Sequence, residues 1–279
     1  MQEKFFLANS SLGQHRIAYT EWGEASARPP VICVHGLTRN GRDFDELARA
    51  LADQTKVYCP DIAGRGKSDW FADPAYYTYP QYIADMAGFI VHIGAATVDW
   101  VGTSMGGIIG MLMAAADTTP VHRMVVNDVG PFIPLAALKR IGTYVAATTE
   151  FADTKEAETY MRSIYASFGK LSDENWGHLA AHGTRVLPNG KLALAYDPAI
   201  AQAFLSVDKD VEFWDAYDRI RAPILLLRGM KSDVLPADVA KEMTQRGPKA
   251  QLAEFLRIGH APALMDPTQI GLIKEFLFA

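Results

Sequence analysis

The stretch VDWVGTSMGGIIGMLMAAA, Val98 to Ala116, joins a short apolar run typical of a β-strand to a helix-compatible run, and the two meet at Gly-Thr-Ser-Met-Gly-Gly. So short a turn between strand and helix forces its central residue, Ser104, into strained backbone geometry. Side chains two positions before and after it would collide, and Gly102 and Gly106 remove those collisions. The pattern predicts that Ser104 stands exposed at the top of a sheet, where a catalytic nucleophile would lie.

Two backbone N–H groups are predicted to point at this serine. Met105 opens the helix, so its N–H has no partner within the helix and can stabilise a developing negative charge. In VICVHGLTRNG a buried strand is followed by His35-Gly36, a sharp turn that directs the N–H of Leu37 to the same place. We therefore expect Leu37 and Met105 to form an oxyanion hole and His35 to shape the loop. Arg39 in the same loop is the residue we expect to contact a substrate.

A serine hydroxyl needs a general base, and the base needs an acid to stabilise its charged form. The base is predicted to be His260, because RIGHAPALMDP follows the last predicted strand. Two aspartates compete for the role of acid. Asp233 in LLLRGMKSDVLP is favoured, because its turn is long enough to reach over toward His260. Asp128 in VVNDVGP is the alternative, expected instead to end a strand and organise the following turn.

Short β-rich runs alternate with longer amphipathic runs along most of the chain, which indicates βαβ units and an α/β fold. We predict a mostly parallel central β-sheet flanked by helices, with the first two strands as an antiparallel edge. Between Pro131 and about Tyr217 the strand rhythm disappears and helix-like segments follow one another. The chain is thus expected to divide into a core, 1–130 and 218–279, and a helical cap, 131–217, over the carboxyl edge of the sheet, where ligands of such folds bind.

Composition excludes several classes of function. The net charge of −5 and the pI near 5.8 give no electrostatic reason to expect nucleic acid as a partner. There is no run of about 18 apolar residues, so no membrane span is expected, and the first residues lack the pattern of a signal peptide, so a cytoplasmic protein is expected. Cys33 and Cys59 lie in apolar runs typical of buried free thiols. No Cys or His motif has metal-ligand spacing, and neither a metal nor an organic cofactor is expected.

Taken together, these motifs resemble the α/β-hydrolase superfamily, and in particular its capped serine carboxylesterases. The resemblance is carried by His35-Gly36, by PDIAGRGKSD from Pro60 to Asp69, by the Gly-Thr-Ser-Met-Gly-Gly elbow, by Asp233 and by Gly259-His260. It implies a small-molecule ester as substrate and hydrolysis through an acyl-enzyme. The roles it implies are nucleophile for Ser104, base for His260, acid for Asp233, and oxyanion donors for Leu37 and Met105.

Other activities of this fold are distinguished by their chemistry. Epoxide hydrolases and haloalkane dehalogenases need a carboxylate at the position of Ser104, which excludes them. Carbon–carbon bond hydrolases, lactonases, thioesterases and perhydrolases use a serine and stay open. A ligand sensor that keeps the triad and acts through a protein partner is an alternative from another class. The cap has no cluster of arginines, so neutral, moderately apolar esters are the expected substrates.

Overall fold

The computed structural model describes all residues from 1 to 279. The strands are β1 (Gln2–Ser10), β2 (Gly13–Trp22), β3 (Val31–Val34), β4 (Val57–Pro60), β5 (Val98–Thr103), β6 (Val121–Asn127), β7 (Phe132–Ile133), β8 (Glu150–Phe151), β9 (Thr184–Val186), β10 (Leu192–Leu194), β11 (Val211–Glu212), β12 (Ile224–Gly229) and β13 (Gln251–Phe255).

The helices are α1 (Asp45–Leu51), α2 (Tyr79–His92), α3 (Met105–Ala114), α4 (Leu135–Val145), α5 (Thr154–Ile164), α6 (Asp173–His182), α7 (Gln202–Leu205), α8 (Trp214–Arg219), α9 (Ala237–Met243) and α10 (Pro267–Phe278). Short 3₁₀ turns lie at Gly41–Phe44, Pro74–Tyr76, Ala166–Phe168 and Pro198–Ala201. No helix is both long enough and apolar enough to cross a membrane.

Eight of the strands form one sheet in the order β1-β2-β4-β3-β5-β6-β12-β13. β1 and β2 pair antiparallel, as do β2 and β4, whereas every other neighbouring pair is parallel. Parallel neighbours need crossover connections, which the intervening helices supply. The predicted architecture, a mostly parallel sheet with an antiparallel edge, is therefore the one that this chain forms.

Both faces of the central strands β3, β4, β5 and β12 are buried, which is why these strands read as continuous apolar runs. In β3, Val31 and Cys33 face a cluster shared with α1 and α10, whereas Ile32 and Val34 face the larger cluster shared with α2 and α3. This alternation follows from the two-residue period of a strand. Cys33 and Cys59 are both buried and both free thiols, as the sequence predicts.

The turn from β5 into α3 is packed so closely that only glycine fits at two positions. A Cβ atom on Gly106 would lie 2.0 Å from the carbonyl oxygen of Val34, and one on Gly102 would lie 2.4 Å from the carbonyl oxygen of Gly106. The indole Nε1 of Trp100 donates a hydrogen bond of 2.9 Å to that same Gly106 oxygen. The start of α3 is therefore locked against β3 and β5 by contacts between backbones.

The sequence predicts a helical cap over residues 131–217, but the chain between β6 and β12 is not purely helical. Besides α4 to α8, it contains the three-stranded sheet β8-β10-β9 and the two-stranded sheet β11-β7. These strands are two or three residues long, too short to give an alternating apolar pattern in the sequence. The expected boundary at residue 217 falls within α8, which packs against α3 of the core.

The close approach at Gly106 predicts a large effect of one methyl group. Gly106→Ala should lower the free energy of unfolding by about 3 kcal/mol or more, because the added carbon meets rigid backbone. Gly271→Ala is the matched control: Gly271 lies within α10 with open space around it, so alanine should stabilise by about 0.5–1 kcal/mol. Urea denaturation measures both variants. A Gly106→Ala protein as stable as the parent would contradict this account of the turn.

Candidate active site

Ser104 lies at the junction of β5 and α3 with φ 51° and ψ −114°, a conformation that L-residues rarely adopt. Its backbone N–H donates a 3.0 Å hydrogen bond to the carbonyl of Asn127 at the end of β6. The Asn127 side chain in turn donates to Thr103 Oγ1 at 3.0 Å and to the Pro262 carbonyl at 2.8 Å. Asn127 therefore joins the serine turn to the loop that carries His260.

Ser104, His260 and Asp128 form a continuous chain of hydrogen bonds. His260 Nε2 lies 2.9 Å from Ser104 Oγ, and His260 Nδ1 lies 2.8 Å from Asp128 Oδ2. The other oxygen of Asp128 accepts a 2.7 Å hydrogen bond from the N–H of Gly229, and the carboxylate is fully buried. An ionised carboxylate only accepts hydrogen bonds, so the proton of the neutral imidazole lies on Nδ1 and Nε2 is left to accept from the serine hydroxyl.

The prediction that Asp233 partners His260 is wrong. Asp233 is 50% exposed, and its carboxylate binds Arg140 of α4 at 2.5 Å and 2.9 Å. Asp128, the alternative, occupies the place beside the histidine. The reason is the strand order: β6 is the direct neighbour of β5, so the residue that follows β6 lies beside the serine that follows β5. The turn after β12 instead directs Asp233 toward α4.

The N–H groups of Leu37 and Met105 are both free, since neither donates a hydrogen bond to another group of the protein. Both residues line the same cavity as Ser104. The loop backbone also approaches the serine closely, because a Cβ atom on Gly36 would lie 3.7 Å from Ser104 Cβ. Two unused donors beside a serine hydroxyl are what an oxyanion hole requires. The catalytic role of the pair stays a prediction.

His35 holds the loop in place. Its Nε2 accepts a 2.9 Å hydrogen bond from the N–H of Ile62, so its Nδ1 carries the proton and donates 2.7 Å to the carbonyl of Gly36. Burial lowers the pKa of His35 to about 3. The imidazole is therefore neutral at physiological pH and shapes the backbone next to Leu37.

Arg65 is a residue of the site that the sequence pattern did not predict. Its side chain is fully buried, with no carboxylate in ion-pair contact. Nε donates 2.8 Å to the carbonyl of Leu37, while Nη1 donates to the Ala63 carbonyl at 2.7 Å and to the Tyr82 hydroxyl at 2.8 Å. Arg65 thus fixes the loop that carries the N–H of Leu37. The available signal was an arginine between two glycines in AGRGKSD, after a predicted strand.

Arg39 is not a free cation. Its guanidinium binds both oxygens of Asp43 at 2.8 Å and 2.6 Å and lies 5.0 Å from the centre of the Tyr165 ring. The residue borders a cavity at the site, but its charge is already paired. The substrate contact expected of Arg39 stays a prediction.

Two cavities meet at Ser104. The apolar cavity, of about 620 Å³, is lined by Leu37, Ser104 and Met105 together with mainly apolar side chains such as Ile108, Leu112, Ile133, Leu138 and Phe204. The basic cavity, of about 600 Å³, is lined by Leu37, Ser104 and His260 together with Arg39, Arg140, Lys231, Arg257 and Asp233. A molecule whose reactive carbon lies over Ser104 can therefore extend in two directions of different polarity.

Asp45, His178 and His182 also come together, away from Ser104, with their ligand atoms within 4.8 Å of one another. The Arg42 guanidinium lies within this group: it donates to both oxygens of Asp45, at distances down to 2.6 Å, and approaches His182 Nδ1 at 3.3 Å. A positive charge already in contact with the carboxylate opposes binding of a metal cation there.

The fold and the site define a class of protein. The chain matches the model of the Alpha/beta hydrolase family over residues 31–270 and belongs to that family. The predicted fold is confirmed by solved structures. An alpha/beta hydrolase from Novosphingobium aromaticivorans superposes with a TM-score of 0.89 at 34% identity, covering 99% of this chain and 97% of that chain.

The chain is 40% identical to the 3-hydroxybutyrate-oligomer hydrolase of Cupriavidus necator, over 96% of this chain and 94% of that protein. It is also 24% identical to the pimeloyl-[acyl-carrier protein] methyl ester esterase of Vibrio cholerae, over 88% of this chain and 92% of that protein. These relatives are ester hydrolases. Each similarity covers both the sheet and the inserted segment.

The geometry predicts that the hydrolytic activity depends on Asp128 and not on Asp233. Asp128→Asn should lower kcat by about 10⁴-fold, because an amide in this place favours the wrong tautomer of His260. Asp233→Asn is the matched control and should stay within about tenfold of the parent, since Asp233 contacts Arg140 and not the histidine. Ester hydrolysis by the two purified variants, with thermal unfolding as a check of the fold, makes the comparison. A larger loss in Asp233→Asn than in Asp128→Asn would show that Asp233 is the acid.

Buried His35 predicts a loss of stability in mild acid. Its pKa is about 3 in the folded protein and about 6.5 in an unfolded chain, so below pH 6.5 the unfolded state binds a proton that the folded state does not. The contribution of His35 to the free energy of unfolding should therefore fall as the pH decreases from 6.5 toward 3, by up to about 1.4 kcal/mol per pH unit. Buried Asp61, whose pKa is raised to about 6, contributes with the opposite sign below pH 6, so the effect of His35 is measured as a difference between variants.

Urea denaturation between pH 4.5 and 6.5 measures this slope. In His35→Gln, which has no titrating side chain at this position, the slope of the free energy of unfolding against pH should be less positive than in the parent. It should persist in His92→Gln, which removes an exposed imidazole bonded only to Tyr19. Equal slopes in the parent and in His35→Gln would show that His35 is not the source.

Proposed function

We propose that this chain is a serine hydrolase that cleaves carboxylic ester bonds through an acyl-enzyme intermediate. The observation that carries the proposal is the hydrogen-bonded chain from Ser104 Oγ through His260 to Asp128, beside two free backbone N–H groups. In this proposal Ser104 is the nucleophile, His260 the general base and Asp128 the acid. Leu37 and Met105 are the oxyanion donors.

In the first half of the reaction, Ser104 Oγ attacks the ester carbonyl carbon while His260 Nε2 takes the hydroxyl proton. The carbonyl oxygen becomes an oxyanion, which the N–H groups of Leu37 and Met105 stabilise. Asp128 stabilises the imidazolium that forms and holds it in place. When the tetrahedral intermediate collapses, the carbon–oxygen bond to the alcohol breaks, and His260 gives its proton to the departing oxygen.

In the second half, water replaces the alcohol. His260 Nε2 takes a proton from the water while the oxygen of the water attacks the acyl carbon bound to Ser104. The second tetrahedral intermediate collapses with cleavage of the bond to Ser104 Oγ, which recovers its proton from His260. One ester and one water thus give one acid and one alcohol, and the enzyme returns to its starting state.

We propose esters of short hydroxy acids as the substrates. One support is the relative from Cupriavidus necator, whose name states hydrolysis of 3-hydroxybutyrate oligomers and whose similarity extends over nearly the whole of both chains. A second is the apolar cavity, whose aliphatic walls suit a short aliphatic acyl group. The expected preference for moderately apolar esters agrees with this wall chemistry on the acyl side.

We also propose that residues 131–217 act as a cap over the site, because they contact both catalytic loops. The Gly259 N–H donates 2.8 Å to the carbonyl of Ser167, and the Tyr165 hydroxyl lies 3.2 Å from Thr38 Oγ1. Arg140 of α4 binds Asp233 of the core. Side chains of this segment line both cavities, so it would select which esters fit.

The proposal predicts that the protein hydrolyses simple esters with multiple turnovers, and that this activity depends on Ser104. The parent should hydrolyse p-nitrophenyl butyrate and the 3-hydroxybutyrate dimer. In Ser104→Ala, kcat should fall by about 10⁶-fold, because without the nucleophile only the oxyanion hole and substrate binding still accelerate hydrolysis. Ser163→Ala is the matched control, since Ser163 Oγ is exposed on α5 and donates only to the Tyr160 carbonyl. A Ser104→Ala protein as active as the parent would refute the proposal.

The same assay separates the alternatives when butyryl thioesters, lactones and perhydrolysis are included. A kcat/KM that is highest for a thioester or a lactone would identify the chain as a thioesterase or a lactonase instead. A single burst of acylation without turnover would instead support a ligand sensor.

A further inference from the structure

The basic cavity holds two cations with no partner. Four cationic side chains and only one carboxylate line it, in a chain whose net charge is −5. Arg39 is paired with Asp43, and Arg140 with Asp233. Lys231 and Arg257 form no ion pair and no side-chain hydrogen bond within the protein, so the positive charge of the cavity rests on these two.

Lys231 and Arg257 are mounted on two turns that the backbone ties together. The N–H of Lys231 donates 2.8 Å to the carbonyl of Ile258, and the N–H of Met230 donates 3.0 Å to the carbonyl of Phe255. The second turn continues through Gly259 into His260. The two cations are therefore anchored to the backbone that carries the proposed general base, and not to the cap.

The chemistry decides which part of an ester lies in this cavity. The departing alcohol oxygen must receive its proton from His260, so it has to lie on the side of the histidine. His260 lines the basic cavity and not the apolar one, whereas Met105 lines the apolar cavity and not the basic one. The acyl chain therefore occupies the apolar cavity, and the alcohol occupies the basic cavity.

The acyl side offers no comparable pair of cations. Its charged residues are Arg65 and the exposed Glu212. Arg65 Nε and Nη1 are bound to two carbonyls and a tyrosine hydroxyl, whereas its Nη2 is buried without a hydrogen-bond partner. A negatively charged group on the acyl part would thus meet mainly apolar walls, with one buried cation, Arg65, and the carboxylate of Glu212. The difference in charge between the cavities gives an ester a preferred orientation.

We infer that the departing alcohol carries a carboxylate, which Lys231 and Arg257 bind, so that the enzyme removes the carboxyl-terminal unit of a hydroxy-acid oligomer. This inference rests on the proposed ester hydrolysis. Water cleaves the last ester bond, and the products are one hydroxy acid and an oligomer one unit shorter. That oligomer ends in a new carboxylate, so it is again a substrate.

A matched pair of substrates tests the inference: the 3-hydroxybutyrate dimer, and the same dimer with its carboxylate converted to a primary amide. The parent should show a kcat/KM at least tenfold higher for the acid, mainly through a lower KM. Added salt should reduce this ratio, because exposed charges are screened. In the double variant Lys231→Met, Arg257→Met the ratio should fall toward one. Lys241→Gln removes an exposed charge of α9 outside both cavities and should retain the ratio.

A trimer with a ¹³C label in its carboxyl-terminal unit shows the direction of cleavage. The labelled monomer should appear first. Release of the unlabelled hydroxyl-terminal monomer first, or equal kcat/KM for acid and amide in the parent, would overturn the inference while ester hydrolysis stands. Hydrolysis of p-nitrophenyl butyrate without hydrolysis of either dimer would also overturn it. If no ester of the set is hydrolysed, the proposed function itself fails.

Discussion

The backbone conformation of Ser104 is the constraint on which the rest of the site depends. A residue held at φ 51° must be fixed by its surroundings, since it would otherwise relax to a common conformation. The surroundings here are almost wholly backbone: Gly106 lies against the Val34 carbonyl, and the Ser104 N–H is bonded to Asn127. Because these are contacts with the central strands of the sheet, the sheet itself fixes the position of the serine.

Much of the fold could be predicted from sequence because its signals are local. Apolar runs, the glycines around Ser104 and the loop before His260 each carry their meaning within a few residues. The acid could not be chosen this way, because the choice between Asp128 and Asp233 depends on which strands are neighbours. Strand order follows from the packing of the whole chain, and the number of residues between a strand and the following aspartate does not predict it.

The other differences have the same origin. The buried Arg65 acts on a carbonyl 28 residues earlier in the chain, a contact that no local pattern reports. The expectation of neutral esters came from the shortage of arginines in the cap. The structure adds Lys231 and Arg257, which belong to turns of the core and reach the site only because the ends of β12 and β13 lie side by side. The charge around a site is thus a property of the folded surface, which the composition of one segment does not give.

The paired strands β7 and β11 bear on how such an enzyme can change over evolutionary time. Ile133 lies opposite Val211, so the chain enters and leaves the intervening segment through two strands in direct contact. The segment between β7 and β11 can lengthen, shorten or be replaced without altering the distance between the two points at which it joins the core. The cavity walls that this segment supplies can therefore diverge while the sheet that positions Ser104 is retained.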